Sequence, residues 1–140
     1  MQDEALTGNI IKAFFQVYNS LGYGFLEKVY ENAMAVELAL NGLRVRQQMR
    51  INVYYKGQSV GEYWADMTVN ERILLELKAK ENLCEEHRWQ LVNYLRATNY
   101  EVGLLLNFGR KPELRRVIYQ NCFKTGLKQS EGSLPTVAIK

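Results

Sequence analysis

The segment Ile73-Leu-Leu-Glu76-Leu-Lys78-Ala79 decides how this chain is read. Its aliphatic residues make it a buried strand, yet Glu76 and Lys78 are two positions apart and so project to one face. Leu74 shares that face, while Ile73, Leu75, Leu77 and Ala79 share the other. Taking an ionised side chain out of water without a partner is costly. The strand is therefore either half exposed, with both charges solvated, or the charges belong to a site. Asp66, ten positions before Glu76 in Tyr63-Trp-Ala-Asp66-Met67, favours a site. Aspartate is disfavoured in strands, and a hairpin between the two segments can lay it beside Glu76. The turn decides this. A two-residue loop, Asn70-Glu71, pairs Asp66 with Leu75 and turns it away; a three-residue loop, Asn70 to Arg72, pairs it with Glu76. Two adjacent carboxylates are hard oxygen ligands suited to Mg²⁺ or Mn²⁺.

Working outward, Ile10, Phe14, Val17, Tyr18 and Leu21 fall at helical spacing and are followed by Gly22 and Gly24. A second helix, from about Phe25 to Asn41, carries an apolar stripe of Leu26, Val29, Ala33, Val36 and Leu40 and stops at Asn41-Gly42. The period then changes to two. Val45, Gln47, Met49, Ile51, Val53 and Tyr55 alternate with Arg44, Arg46, Gln48, Arg50, Asn52 and Tyr54, a long strand ended by the turn Lys56-Gly57-Gln58. A strand over about Ser59–Val69 leads into the opening segment. A helix over about Glu85–Ala97, a strand over Glu101–Phe108 and a short element over Leu114–Tyr119, read as a strand, complete the chain. The order α, α, β, β, β, α, β, β predicts an α/β sandwich around one sheet.

At 140 residues the chain is one domain, spanning 1–125, and Gly126 to Lys140 reads as a mobile tail because it has no periodicity. A hydrophobic share of 47% and a charged share of 24% exclude wholesale disorder. The net charge of +3 permits a nucleic-acid partner without requiring one. Cys84 and Cys122 fit no metal spacing and suit a reduced protein. No apolar run reaches the ~18–20 residues that cross a bilayer, and Met-Gln-Asp-Glu lacks the features of a signal peptide. The expected address is the cytoplasm, with no membrane partner.

Asp66, Glu76 and Lys78, in the pattern Asp-x9-Glu-x-Lys, resemble the signature of the PD-(D/E)XK nuclease superfamily, with Ala65 where the superfamily's name has proline. Gly24-Phe-Leu-Glu27-Lys-Val-Tyr30 resembles the signature of the GxxExxY family, a small-protein branch of that superfamily. Tyr55-Lys-Gly57, Tyr63-Trp-Ala-Asp66, Glu76-Leu-Lys78, Gln90-Leu-Val-Asn-Tyr94-Leu and Leu104-Leu-Leu-Asn107-Phe108-Gly109 follow in that family's order, over about residues 5 to 120. The resemblance implies an αβββαβ restriction-endonuclease-like core, a central mixed sheet flanked by helices, with an extra N-terminal helix. It implies a Mg²⁺-dependent (or Mn²⁺-dependent) nuclease hydrolysing phosphodiester bonds of nucleic acid, DNA ahead of RNA. A catalytically silent nucleic-acid-binding or protein-interaction module of the same fold is the alternative. A homo-oligomer or a protein partner is compatible with either.

The same resemblance implies roles. Asp66, Glu76 and the Leu77 carbonyl would hold the metal, which polarises a phosphoryl oxygen and activates water. Lys78 would orient that water or stabilise charge at phosphorus; a lysine beside two carboxylates keeps its proton, which favours the electrostatic role. Glu27 would be a third carboxylate, direct or through water, with Tyr30 packing, bracing it or touching nucleic acid. Glu31, on the same helix face as Glu27, reads as a solvated residue paired with Lys28. Gln90 and Tyr94 are similar to the Gln-x-x-x-Tyr motif of the exonuclease-type branch, where the amide orients lysine or phosphate and the phenol lies near the scissile strand. His87 is either a phosphate contact or structural. Arg44, Arg46 and Arg50 share a strand face, and Arg110, Lys111, Arg115 and Arg116 form the candidate phosphate-neutralising cluster.

Overall fold

Helical periodicity in the first third of the chain becomes two packed helices, α1 (Glu4–Leu21) and α2 (Glu27–Leu40), in a computed structural model that describes residues 3–124 and the backbone of 127–128 and 136–138. Three strands follow, β1 (Val45–Tyr55), β2 (Gln58–Val69) and β3 (Ile73–Lys78), then α3 (Glu85–Arg96), β4 (Val102–Phe108) and β5 (Pro112–Ile118). β1, β2 and β3 form an antiparallel meander, α3 carries the chain across to β4 parallel to β3, and β5 returns antiparallel. A 3₁₀ turn at Asn121–Phe123 follows. Two short strands, β6 (Leu127–Lys128) and β7 (Thr136–Ala138), extend the sheet at its far edge to the order β5-β4-β3-β2-β1-β7-β6, with β7 parallel to β1. The rest of the expected tail lies outside the described residues.

Helices cover both faces of the sheet. Ile10, Phe14, Tyr30, Met34 and Leu38 of α1 and α2 pack on Ile73, Leu75, Leu77, Leu104 and Leu106. Leu91 and Leu95 of α3 pack on Met49, Ile51, Leu74 and Leu105 from the other side. This double cover is why β3 and β4 read as nearly unbroken apolar runs. Gly103 lets α3 settle onto β4, since a Cβ there would come within 2.8 Å of Leu91. Among the described residues no helix is long and apolar enough to cross a membrane.

Two expectations fail here for physical reasons. The stripe on α2 faces outward: Leu26, Val36 and Leu40 are 81%, 61% and 77% exposed, while Tyr30, Glu31, Met34 and Leu38 are buried. α2 carries apolar residues on two faces, so periodicity alone does not choose between them. Tyr30 chooses. Its ring stacks on Phe108 at 4.2 Å between centroids, and its hydroxyl donates to the Gly22 carbonyl at 2.7 Å.

The alternation of β1 and β2 also breaks midway. Met67 and Val69 face α1 and α2, whereas Ala65 faces α3. On β1, Gln47 reaches α2 residues Glu31 and Asn32, whereas Met49 lies under α3. The switch falls at Gln48 and Asp66, between the paired positions Gln47↔Met67 and Met49↔Ala65, and Gln48 has φ +58°. A left-handed residue in a strand redirects every side chain beyond it. Arg50 is thereby turned away from the face of Arg44 and Arg46.

Candidate active site

The loop joining β2 to β3 has three residues, because Val69 pairs with Ile73. Asn70 and Glu71 both have positive φ, 51° and 55°, a conformation that asparagine tolerates better than most residues. The turn is pinned from β1: the Asn70 amide donates to the Arg44 carbonyl at 2.8 Å, and Asn70 Oδ1 accepts from the Arg44 amide at 2.8 Å. Continuing the register sets Asp66 opposite Glu76.

At that point the strands part. Regular pairing of β2 with β3 ends at Met67↔Leu75, and two side chains take over the ladder. The Asp66 amide donates to Glu76 Oε1 at 3.0 Å, and the Leu77 amide donates to Asp66 Oδ2 at 2.8 Å. Backbone amides of paired strands point within the sheet, so both carboxylates lie in the gap between β2 and β3.

The electrostatics follow from that position. Glu76 is 3% exposed, and burial first, then the Asp66 carboxylate, pushes it up to about 8. Burial likewise raises Asp66, opposed by its bond from the Leu77 amide and raised further by Glu31. Lys78 favours the ionised form of each carboxylate, and Glu27 disfavours it. A buried carboxyl pushed up by its own burial and by a neighbouring carboxylate forms a site in want of a cation. Each has one oxygen tied to an amide and a second not committed to that bond. Among the described residues no three His, Cys, Asp or Glu side chains converge into a metal cage. Two carboxylates fit Mg²⁺ or Mn²⁺, which keep several waters, better than an ion needing an all-protein shell.

α2 does not cross the face that bears Lys78. It packs behind β3, on the side of Leu75 and Leu77. Glu27, at its first turn, acts on the carboxylate pair through the gap. Glu31 is the surprise: it is buried rather than solvated. Its carboxylate accepts from Lys28 Nζ at 2.9 Å, Gln47 Nε2 at 2.7 Å and Gln48 Nε2 at 2.8 Å. The adjacent glutamines in an alternating strand were the available signal. Tyr30 is fully enclosed and its hydroxyl also accepts from the Phe25 amide at 3.2 Å, so it supports the turn before α2 and has no surface for nucleic acid.

On the opposite side, α3 brings Gln90 and Tyr94 towards the pair. Gln90 Nε2 donates to Tyr94 Oη at 3.1 Å. Burial, then the charge of Glu76, pushes the Tyr94 phenol up to about 12, and Asp66 adds to it. Tyr63 of β2 meets Tyr94 with ring centroids 5.8 Å apart. His87 accepts from the Cys84 amide at 3.2 Å through Nδ1 and closes the start of α3. Asn107, fully buried beside Lys78 on β4, clamps the loop after β3: its Oδ1 accepts from the Lys80 amide and its Nδ2 donates to the Lys80 carbonyl, each at 2.9 Å. A polar residue inside Leu104-Leu-Leu-Asn-Phe108 marked it in the sequence, without revealing its role.

The second basic cluster does not converge. Arg115 pairs with Leu105 and Arg116 with Leu104, so the two arginines project to opposite faces of β5. Arg110 and Lys111 are exposed in the turn before it, with Arg110 lying 5.9 Å from the ring centre of Tyr23.

No curated protein and no solved structure gives a significant match to this chain. A family model described as the PD-(D/E)XK nuclease superfamily matches residues 4–117, a span that includes Asp66, Glu76, Lys78, Gln90 and Tyr94. With its mixed sheet flanked by helices and carboxylates paired where β2 leaves β3, the chain belongs to the PD-(D/E)XK nuclease superfamily.

Proposed function

We propose that this protein is a Mg²⁺- or Mn²⁺-dependent nuclease of the GxxExxY branch, with DNA as its first candidate substrate. The observation that carries the proposal is the crossed bonding of Asp66 and Glu76 in the gap between β2 and β3. Asp66 and Glu76, with the Leu77 carbonyl, would hold the ion, and Glu27 would join through water. The ion, when bound, supplies Lewis acidity at the phosphate and a more acidic water. The protein's own part is placement. The amides of Asp66 and Leu77 fix the carboxylate orientations, and Ile73, Leu75 and Leu77 anchor the strand beneath. Lys78 would stabilise the charge developing on the pentavalent phosphorus. Gln90 and Tyr94 bound the site from α3 and orient phosphate or lysine. Exposed, unpaired Cys84 and Cys122 are in keeping with a reducing compartment such as the cytoplasm.

The test is cleavage of single- and double-stranded DNA and RNA with each metal. Cleavage that is lost in Asp66→Asn and Lys78→Ala, with both variants folded, is the expected result. Nucleic-acid binding with no cleavage under any metal would replace this reading with the catalytically silent module.

A further inference from the structure

Beside the carboxylate pair, the β1–β2 hairpin and α3 enclose an open groove of about 560 Å³, lined among others by Val53, Val60, Tyr63, Trp89, Gln90 and Tyr94. Three of these residues are aromatic, and two are presented to solvent: Tyr63 is 49% and Trp89 55% exposed. The groove borders the site at Tyr94. Tyr94 lines it, takes the bond from Gln90, and feels the charges of Glu76 and Asp66. Gly61, also on the wall, keeps it open for the Tyr63 ring, since a Cβ there would come within 3.2 Å of that ring.

We propose that this groove binds unpaired bases of a single-stranded nucleic acid, stacking them on Tyr63 and Trp89 beside the carboxylate pair. The proposal rests on the nuclease reading for the role of the neighbouring site, and on the groove for the substrate class. Aromatic rings accept bases only when their faces are free, and within a duplex those faces are covered by neighbouring base pairs. The charges agree. Arg96 lines the groove and Arg88 lies 5.7 Å from the ring centre of Trp89, enough for a few phosphates of one strand. Glu86 lines the same groove and would oppose the denser phosphate charge of a duplex. With about two phosphates neutralised, the slope of log affinity against log salt should be shallow, near −1.4 for a single strand.

The test is fluorescence anisotropy with a labelled single-stranded oligonucleotide, as DNA and as RNA, and with the same sequence as a blunt duplex, in EDTA so that nothing is cut. The single strand should bind at least tenfold more tightly than the duplex and quench tryptophan emission. Trp89→Ala should weaken single-strand binding by about tenfold to a hundredfold, Trp89→Phe should restore most of it, and neither should alter duplex binding or the melting temperature. Equal or tighter duplex binding, or single-strand affinity unchanged in Trp89→Ala, would overturn the proposal. The two readings separate cleanly. Single-strand binding through Trp89 without cleavage under any metal keeps the groove and removes the nuclease; metal-dependent cutting confined to duplex does the reverse.

Discussion

Replacing Glu76 by glutamine should make the metal-free protein more stable at alkaline pH while removing its response to metal. An ordinary glutamate titrates at 4.5, whereas Glu76 in the fold titrates at about 8, first because it is buried and next because Asp66 is beside it. Between those values the unfolded chain has lost this proton and the native protein still holds it. Native stability therefore falls as pH rises from about 4.5 to about 8, and stays low above it. At about 1.4 kcal/mol per pH unit the gap sets a ceiling of about 5 kcal/mol. Relaxation of the open β2–β3 gap and water entry should reduce the realised effect to about 2–3 kcal/mol.

Glutamine has the same shape, can still accept from the Asp66 amide through its oxygen, and never ionises. In EDTA, Glu76→Gln should match the wild type near pH 5 and exceed it by about 2–3 kcal/mol near pH 9, a rise in melting temperature of about 5–10 °C. Millimolar Mg²⁺ or Mn²⁺ should raise wild-type stability by mass action, and do so less or not at all in the variant. Denaturant unfolding at both pH values, with and without metal, measures all four quantities. A variant equally destabilised at pH 5 and pH 9 would refute the reasoning, because Glu76 would then act through packing rather than through the cost of its charge.

Three further outcomes follow from the packing and the site. Met34→Ala should cost about 2–5 kcal/mol because Met34 is fully buried, whereas Val36→Gln, two positions on but 61% exposed, should cost less than about 0.5 kcal/mol; urea unfolding compares them directly. Asn107→Ala should cost about 1–3 kcal/mol by leaving the Lys80 backbone groups unsatisfied, and hydrogen exchange should show faster opening of the loop at residues 79–83 with β3 itself still protected. Lys78→Met should abolish cleavage while leaving Mn²⁺ affinity equal or reduced by no more than about tenfold, read by calorimetry against an Asp66→Asn control that no longer binds; loss of metal affinity equal to that control would remove the phosphate-stabilising role from Lys78.

The site was legible where a strict period of two met a chemical anomaly. Glu76 and Lys78 share a strand face with the apolar Leu74, a combination that needs a reason, so β3 announced itself. The position of Asp66 was not legible, because it depended on one residue of loop length. That residue is granted by positive φ at Asn70 and Glu71, and side-chain patterns do not report φ. The face of α2 was misread for a related reason. Leu26, Val29, Ala33, Val36 and Leu40 form a regular stripe, but Tyr30, Met34 and Leu38 form another, and only tertiary bonds to Gly22 and Phe108 separate them. Arg115 and Arg116 are a different case. Adjacent residues of a strand must face apart, and treating them as one cluster ignored a rule the sequence already carried.

The switch at Gln48 and Asp66 explains why two carboxylates meet at this place in the sheet. Up to Met67, β2 belongs to the face covered by α1 and α2; from Ala65 outward it belongs to the face covered by α3. A strand that changes faces cannot keep its ladder with a neighbour that does not, and β3 does not. The unmatched amides of Asp66 and Leu77 then need acceptors inside the sheet, and the side chains of Glu76 and Asp66 supply them. The same bonds draw both carboxylates into the gap, where burial raises the proton affinity of each and Asp66 raises that of Glu76 further. A divalent cation would satisfy the resulting charge. The carboxylate of Ile73-Leu-Leu-Glu76-Leu-Lys78 and that of Asp66 are thus placed by a backbone requirement, and the chemistry they offer is a consequence of where the sheet comes apart.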